Sequence, residues 1–181
     1  ALCQQAEAAG FTHAWFFDSH VLWQECFTTM AYCMAHTKKL RFGPCVTNPG
    51  VRDWTVTASL FAALSRLSGG RVDMGIGRGD SSRRVLGRKP MTMEHLAQCV
   101  DVVRRLTRGE SIRFEGADIE FPWSDKHEVP IWIAAYGPKA LEAASRHGDG
   151  LIIQLGDPWL VNWFTEQALA VRKVAGKPTK G

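Results

Sequence analysis

"GRVDMGIGRGDSSRRVLGRKP" (residues 70–90) begins as a strand and ends as a basic loop. Val72, Met74 and Ile76 recur at every second place, the period of an extended chain with one buried face. Glycines at 75, 77 and 79 follow the same step, and Arg78, Arg83, Arg84, Arg88 and Lys89 crowd the residues after them. A dinucleotide-binding turn needs GxGxxG, a helix opening directly on the glycines, and an acidic residue at the end of the next strand. Here the spacing is GxGxG, and Asp80, Ser81, Ser82 and the basic run stand where that helix would begin. Pro90 delays the clear helical period further, and the acidic partner is absent. The dinucleotide reading is therefore poor, and a tight turn, an anion cradle or a basic surface loop remain.

Working outward, strand-like and helix-like segments alternate. Before the quoted stretch come a helix end at Ala1–Ala9 closed by Gly10, a strand "THAWFFD" (12–18), an apolar helix over 26–36, and a strand "KKLRFGPCV" (38–46). Asp53 is a good N-cap for a helix over 54–67 that stops at Gly69 and Gly70. After it, Leu96, Val100, Val103 and Leu106 give a helical period within 91–108. "SIRFEGADIEF" (111–121) alternates about Glu115 and Gly116 and predicts a hairpin inside an excursion over 109–129. A strand "VPIWIAAYG" (129–137), a helix over 138–147, a strand "DGLIIQL" (149–155) and a helix over 159–175 complete the pattern, with a frayed tail at 176–181. Strand and helix in alternation predict a parallel sheet with right-handed crossovers. Asp18, Asn48, Asp80, Tyr136 and Gln154 stand at the C-terminal ends of strands, where both an open doubly wound sheet and a (β/α)8 barrel place their sites.

Composition limits the function classes. The chain has 181 residues, 45% of them hydrophobic and 22% charged, with a net charge of +4. That is an ordinary globular balance, too mildly basic and too poor in clustered aromatics for a nucleic-acid groove. No apolar run reaches the length of a membrane span. Five cysteines without a CxxC pair read as reduced thiols in a cytoplasmic protein.

Three further stretches carry candidate chemistry. "FFDSHVLWQE" (16–25) sets Asp18 and His20 two residues apart beside Trp23, a carboxylate and an imidazole suited to proton transfer. "GPCVTNPGVRDW" (43–54) is turn chemistry that also brings bare backbone within reach of a flat ligand. "IAAYGPKALEAA" (133–144) ends a strand in small residues and starts a helix at Pro138, an arrangement that suits an anion and equally an ordinary βα loop. No metal-ligand spacing is present.

Together these stretches resemble the luciferase-like monooxygenase superfamily, and within it the branch that uses the deazaflavin coenzyme F420. The resemblance runs from "AEAAGFTHAWFFDSH" to "HGDGLIIQLGDP". It implies a (β/α)8 TIM barrel, of which this chain would carry about strands two to six with their helices as a single domain over 1–181. It implies hydride transfer between reduced coenzyme F420 and a small organic substrate at the C-terminal mouth, with FMN as the alternative cofactor of a monooxygenase, or an inactive fragment as a further alternative. By the same resemblance Asp18 and His20 are the catalytic candidates, although Ser19 stands where relatives carry their histidine next to the aspartate. Cys45 and Val46 would form a cis bulge behind the ring, with Asn48, Asp80, Arg83, Ala134, Ala135, Tyr136, Gly137 and Gln154 around the cofactor and the arginine cluster near its anionic tail. Trp23, Phe17 and Trp54 are expected to wall the substrate space, and a homodimer is the expected assembly.

Overall fold

Val72, Met74 and Ile76, the alternating apolar positions of the opening stretch, are fully buried, and the strand they belong to is the middle of a parallel wall. The computed structural model describes residues 1–179. In chain order its elements are α1 (Leu2–Ala8), β1 (His13–Phe16), α2 (Cys26–Ala35), β2 (Arg41–Pro44), α3 (Trp54–Ser68), β3 (Met74–Ile76) and α4 (Asp80–Arg84). They continue with α5 (Met93–Thr107), β4 (Ile112–Phe114), β5 (Ala117–Ile119), β6 (Ile131–Ala134), α6 (Pro138–His147), β7 (Gly150–Ile152) and α7 (Pro158–Val174).

The wall runs β1-β2-β3-β6-β7, all parallel. β1 pairs with β2 from His13 opposite Arg41, β3 with β6 from Met74 opposite Ile131, and β6 with β7 from Trp132 opposite Gly150. Bridges at Phe42–Val72 and Thr47–Ile76 join β2 to β3. This order settles the architecture. A doubly wound sheet reverses direction at a switch point, whereas each parallel strand here lies beside the one before it, as in a barrel wall. β4 and β5 form a separate antiparallel hairpin, turning on Glu115 and Gly116 at positive φ of 46° and 90°.

The two faces of the wall differ as the alternation predicts. Phe42, Met74, Ile131 and Ile133 point to the helices and pack with Phe61, Leu96, Val103 and Leu106. Each such side chain stabilises by about 1.5–3 kcal/mol relative to exposure. On the other face Trp15 lies across Gly43 and Trp132 across Gly150, positions where an added Cβ would strike the neighbouring indole. The two indoles meet edge to face at 6.1 Å, and beneath them Arg41 Nε donates to the buried Asp73 at 2.7 Å.

Local chemistry fixes the helix ends. The Asp53 carboxylate accepts the Thr55 N–H at 2.8 Å, and Gly69 leaves α3 in the left-handed region. α5 starts two residues later than its apolar period suggests because Thr92 caps it, accepting from the His95 N–H. One expectation fails: α4 opens at once on Gly79, where the basic run was expected to be irregular. The helix has five residues and no apolar period to betray it; Gly79 at φ 85° supplies the turn, and an Arg84–Asp80 pair spans it. The tail expected at 176–181 lies partly outside the described residues.

Candidate active site

Between the two bridges, β2 takes five steps (42 to 47) while β3 takes four (72 to 76). The extra residue makes a bulge, and its Cys45–Val46 peptide is cis, as the resemblance implied. The bulge is fastened on both sides: Cys45 N–H donates to Phe16 O at 2.6 Å, Thr47 N–H to Gly75 O at 2.9 Å, and Gly77 N–H to Thr47 O at 2.8 Å. Gly75 is required here, because a Cβ would overlap the Pro44 carbonyl oxygen. A Cβ on Gly77 would meet Val46 Cγ2 at 2.8 Å and Ala134 Cβ at 3.5 Å. Val46, Gly77 and Ala134 therefore form one continuous uncharged patch at the C-terminal ends of β2, β3 and β6. Burial pushes the Cys45 thiol up from its ordinary value, so this patch carries no thiolate at neutral pH.

Behind the bulge sits an ionic cluster. Asp18, 3% exposed, accepts from the Thr47 hydroxyl at 2.6 Å and from Arg52 at 2.7 and 3.1 Å. Burial alone would lower the Arg52 pKa, but the Asp18 hydrogen bonds and charge outweigh it and the net shift is upward. Burial also pushes the neighbouring Cys26 thiol up, reinforced by the charges of Asp18 and Glu25. Asp18 and His20 do not make a bonded pair. The carboxylate is turned inward to Thr47 and Arg52, while His20 is exposed in the following turn. Arg52 and Thr47 were not singled out in the sequence. The available signal was Asp18 itself, since a buried carboxylate demands a cation, and Arg52 follows the proline and glycine turn of the next strand.

The remaining expected residues divide. Asn48 is buried with both polar atoms engaged, Nδ2 donating to Ser82 Oγ at 2.8 Å and Oδ1 accepting from Gly50 N–H at 3.0 Å. Arg83 donates to the carbonyls of Lys89 and Gly50, each at 2.7 Å. These two residues tie the β2 loop to α4. Asp80 is exposed beside Arg84. Of the rest of the basic run, Arg78 donates to Met91 O at 2.6 Å and stands exposed, as do Arg88 and Lys89. Past β6, Ala135 is buried toward the helices, while Tyr136 is half exposed and its hydroxyl accepts the Gln154 N–H at 2.5 Å. That bond joins the loop ends after β6 and β7. Next to it Gly137 faces open space.

Phe17 and Trp23 stack at 5.5 Å and, with Trp15, Val21 and Leu22, line a cavity of about 470 Å³. Trp54 is not part of that wall. Its indole N–H donates to Pro49 O at 3.0 Å and its ring packs on Phe114 and His95. Arg52 and Trp54 instead border a second cavity of about 320 Å³ against the tip of the β4–β5 hairpin.

The family model described as luciferase-like monooxygenase matches residues 1–180. The chain belongs to this luciferase-like family. It is 30% identical over 161 residues to the 5,10-methylenetetrahydromethanopterin reductase of Archaeoglobus fulgidus, covering 84% of this chain and 48% of that one. It is 31% identical over 175 residues to the F420-dependent hydroxymycolic acid dehydrogenase of Mycobacterium tuberculosis, covering 87% and 49%. In structure it matches the coenzyme F420-dependent tetrahydromethanopterin reductase from Methanopyrus kandleri with a TM-score of 0.81 at 22% identity, over 95% of this chain and 56% of that one. The chain thus spans about half the length of the curated luciferase-like relatives it matches. No helix among the described residues is long and apolar enough to cross a membrane.

Proposed function

We propose that this chain is the cofactor-holding part of a coenzyme F420-dependent oxidoreductase acting on a small organic substrate at the C-terminal mouth of the barrel. The observation that carries the reading is the uncharged patch of Val46, Gly77 and Ala134 with exposed Arg78, Arg88 and Lys89 on the loop beside it. A flat ring with an anionic tail needs that combination: a floor on which bulk and charge are absent, and cations within reach of the tail. The Mycobacterium tuberculosis relative, 31% identical, adds to it through the F420 dependence in its name.

The cofactor, when bound, supplies hydride acceptance and donation. The chain's residues do the rest. The Cys45–Val46 bulge and the backbone from Ala134 to Gly137 would hold the ring, with the Tyr136–Gln154 bond fixing the loop ends beside it. Asn48 and Arg83 hold the β2 loop and α4 in register, and Asp80 at the start of α4 would face the cofactor. Asp18 acts through Thr47 and Arg52 rather than by proton transfer, since its oxygens are occupied. His20, exposed and two residues on, is the group placed to give or take a proton at the substrate. Phe17 and Trp23 wall the substrate space.

Fluorescence titration of the chain with coenzyme F420 and, separately, with FMN tests this reading. Saturable binding of coenzyme F420 supports it. Tight FMN binding without coenzyme F420 binding points to a flavin monooxygenase instead, and binding of neither to an inert piece of the fold.

A further inference from the structure

The segment from Asp18 to Glu25 leaves β1 and enters α2, and one side chain from outside touches both of its ends. Arg52 holds Asp18 through two nitrogens, as described, and its Nη2 also lies 3.3 Å from Glu25 Oε1. The guanidinium carbon stands 4.7 Å above the centre of the Phe27 ring, just inside α2. Glu25 in turn caps α2, its Oε2 accepting the Thr28 N–H at 2.7 Å. Burial raises the Glu25 carboxyl, but the Thr28 bonds and Arg52 more than reverse this and it ends below its ordinary value.

What lies between these fixed ends is not a packed element. Leu22 and Trp23 N–H groups bond back to Ser19 O in a local turn, while the Val21, Leu22 and Trp23 side chains are 52%, 53% and 59% exposed. A segment with so few buried contacts sits at the low-stability end of a fold, so its position depends on its anchors. A planar guanidinium with five donors can bridge two carboxylates at once, whereas a lysine ammonium is a single point. The Asp18 side chain is 1% exposed and that of Arg52 20%, so solvent screens this contact less than a surface pair.

We infer that Arg52 is a positioning residue: it clips both ends of the Asp18–Glu25 segment to the β2 loop and so sets where His20 and Trp23 stand at the mouth. The consequence for cofactor binding rests on the function proposed above; the clip itself does not. The alternative is that Arg52 serves Asp18 alone, in which case its contact with Glu25 is idle.

Hydrogen exchange on the full chain, wild type against Arg52→Lys and Glu25→Gln, separates the two, with coenzyme F420 titration of each. Glu25→Gln keeps an oxygen for the Thr28 N–H and leaves the Asp18–Arg52 pair intact, so it remains informative if Arg52→Lys unfolds. The Leu22 and Trp23 amides are expected to exchange about tenfold faster in both variants, the loss of one charged hydrogen bond. In Glu25→Gln the amides of Val100 and Val103 in α5 keep their protection, and coenzyme F420 affinity falls about fivefold, as loosening a binding segment lowers affinity. Wild-type protection of Leu22 and Trp23 in Glu25→Gln overturns the clip. A loosened segment with unchanged affinity overturns its positioning role. If the wild type binds no coenzyme F420, the proposed function fails while the exchange data still decide the clip.

Discussion

Replacing Gly75 with alanine tests how the bulge is held. The new Cβ would overlap the Pro44 carbonyl oxygen, with the Pro44 carbonyl carbon at 3.3 Å and Ile152 Cδ1 at 3.1 Å. The first obstacle is backbone of the adjacent strand, so a rotamer change cannot relieve it. Pro44 directly precedes Cys45, which bonds to Phe16, and stands three residues before Thr47, which bonds to Gly75, so moving it strains both. Overpacking ordinarily costs 1–3 kcal/mol, and a contact closed by backbone on one side belongs at the upper end, about 3 kcal/mol. For a domain of this size that lowers the melting temperature by roughly 6–12 °C. Gly137→Ala is the control: a Cβ there meets nothing within 4 Å, and the expected loss is under about 1 kcal/mol. Urea and thermal unfolding of the two variants read the difference directly. A Gly75→Ala protein as stable as Gly137→Ala would refute the view that close strand approach holds the bulge.

Three more outcomes follow from the same contacts. Asp18→Ala leaves Arg52 with a buried charge and only Glu25 to face, and is expected to cost about 3–5 kcal/mol by urea unfolding. Tyr136→Phe removes the acceptor for the Gln154 N–H at an exposed position, so it should cost under about 1 kcal/mol yet weaken coenzyme F420 in titration. Glu7 is held below its ordinary value of 4.5 by the backbone N–H groups of Lys39 and Leu40. Asp53 is held below 3.8, chiefly by the Thr55 hydroxyl, and Glu25 is lowered likewise. With folded values below unfolded ones, the unfolded chain binds more protons. Their stabilisation is full above the unfolded values and is lost as the pH falls through the folded ones. The melting temperature should therefore drop as the pH falls below about 5, with a shallower slope in Glu7→Gln; identical slopes would contradict this.

The strands and most helices were legible because their signals are local. Val72, Met74 and Ile76 alternate, Leu96 to Leu106 repeat with the helical period, and Asp53 and Gly69 mark the ends of α3. Helix α4 escaped because five residues carry no period and their glycine turn resembles another motif. At the site, the strand-end residues were legible but not their partners. Nothing in the sequence couples Asp18 to Thr47, 29 residues away, or to Arg52, 34 residues away; only the fold brings β1 beside the β2 loop. Asn48 and Arg83 look in the sequence like donors awaiting a ligand. In the structure their polar atoms bond to Ser82, Gly50 and Lys89, a local competition that spacing does not reveal. Trp54, eight residues past the bulge and aromatic, reads as a cavity wall until the hairpin at Phe114 packs on it.

The most direct test is a crystal structure of the chain with coenzyme F420. The expected result is the ring against Val46, Gly77 and Ala134, backed by the Cys45–Val46 bulge, with its tail toward Arg78, Arg88 and Lys89. A cofactor bound away from those three positions, or a ring resting on the Asp18–Arg52 cluster instead, would contradict it.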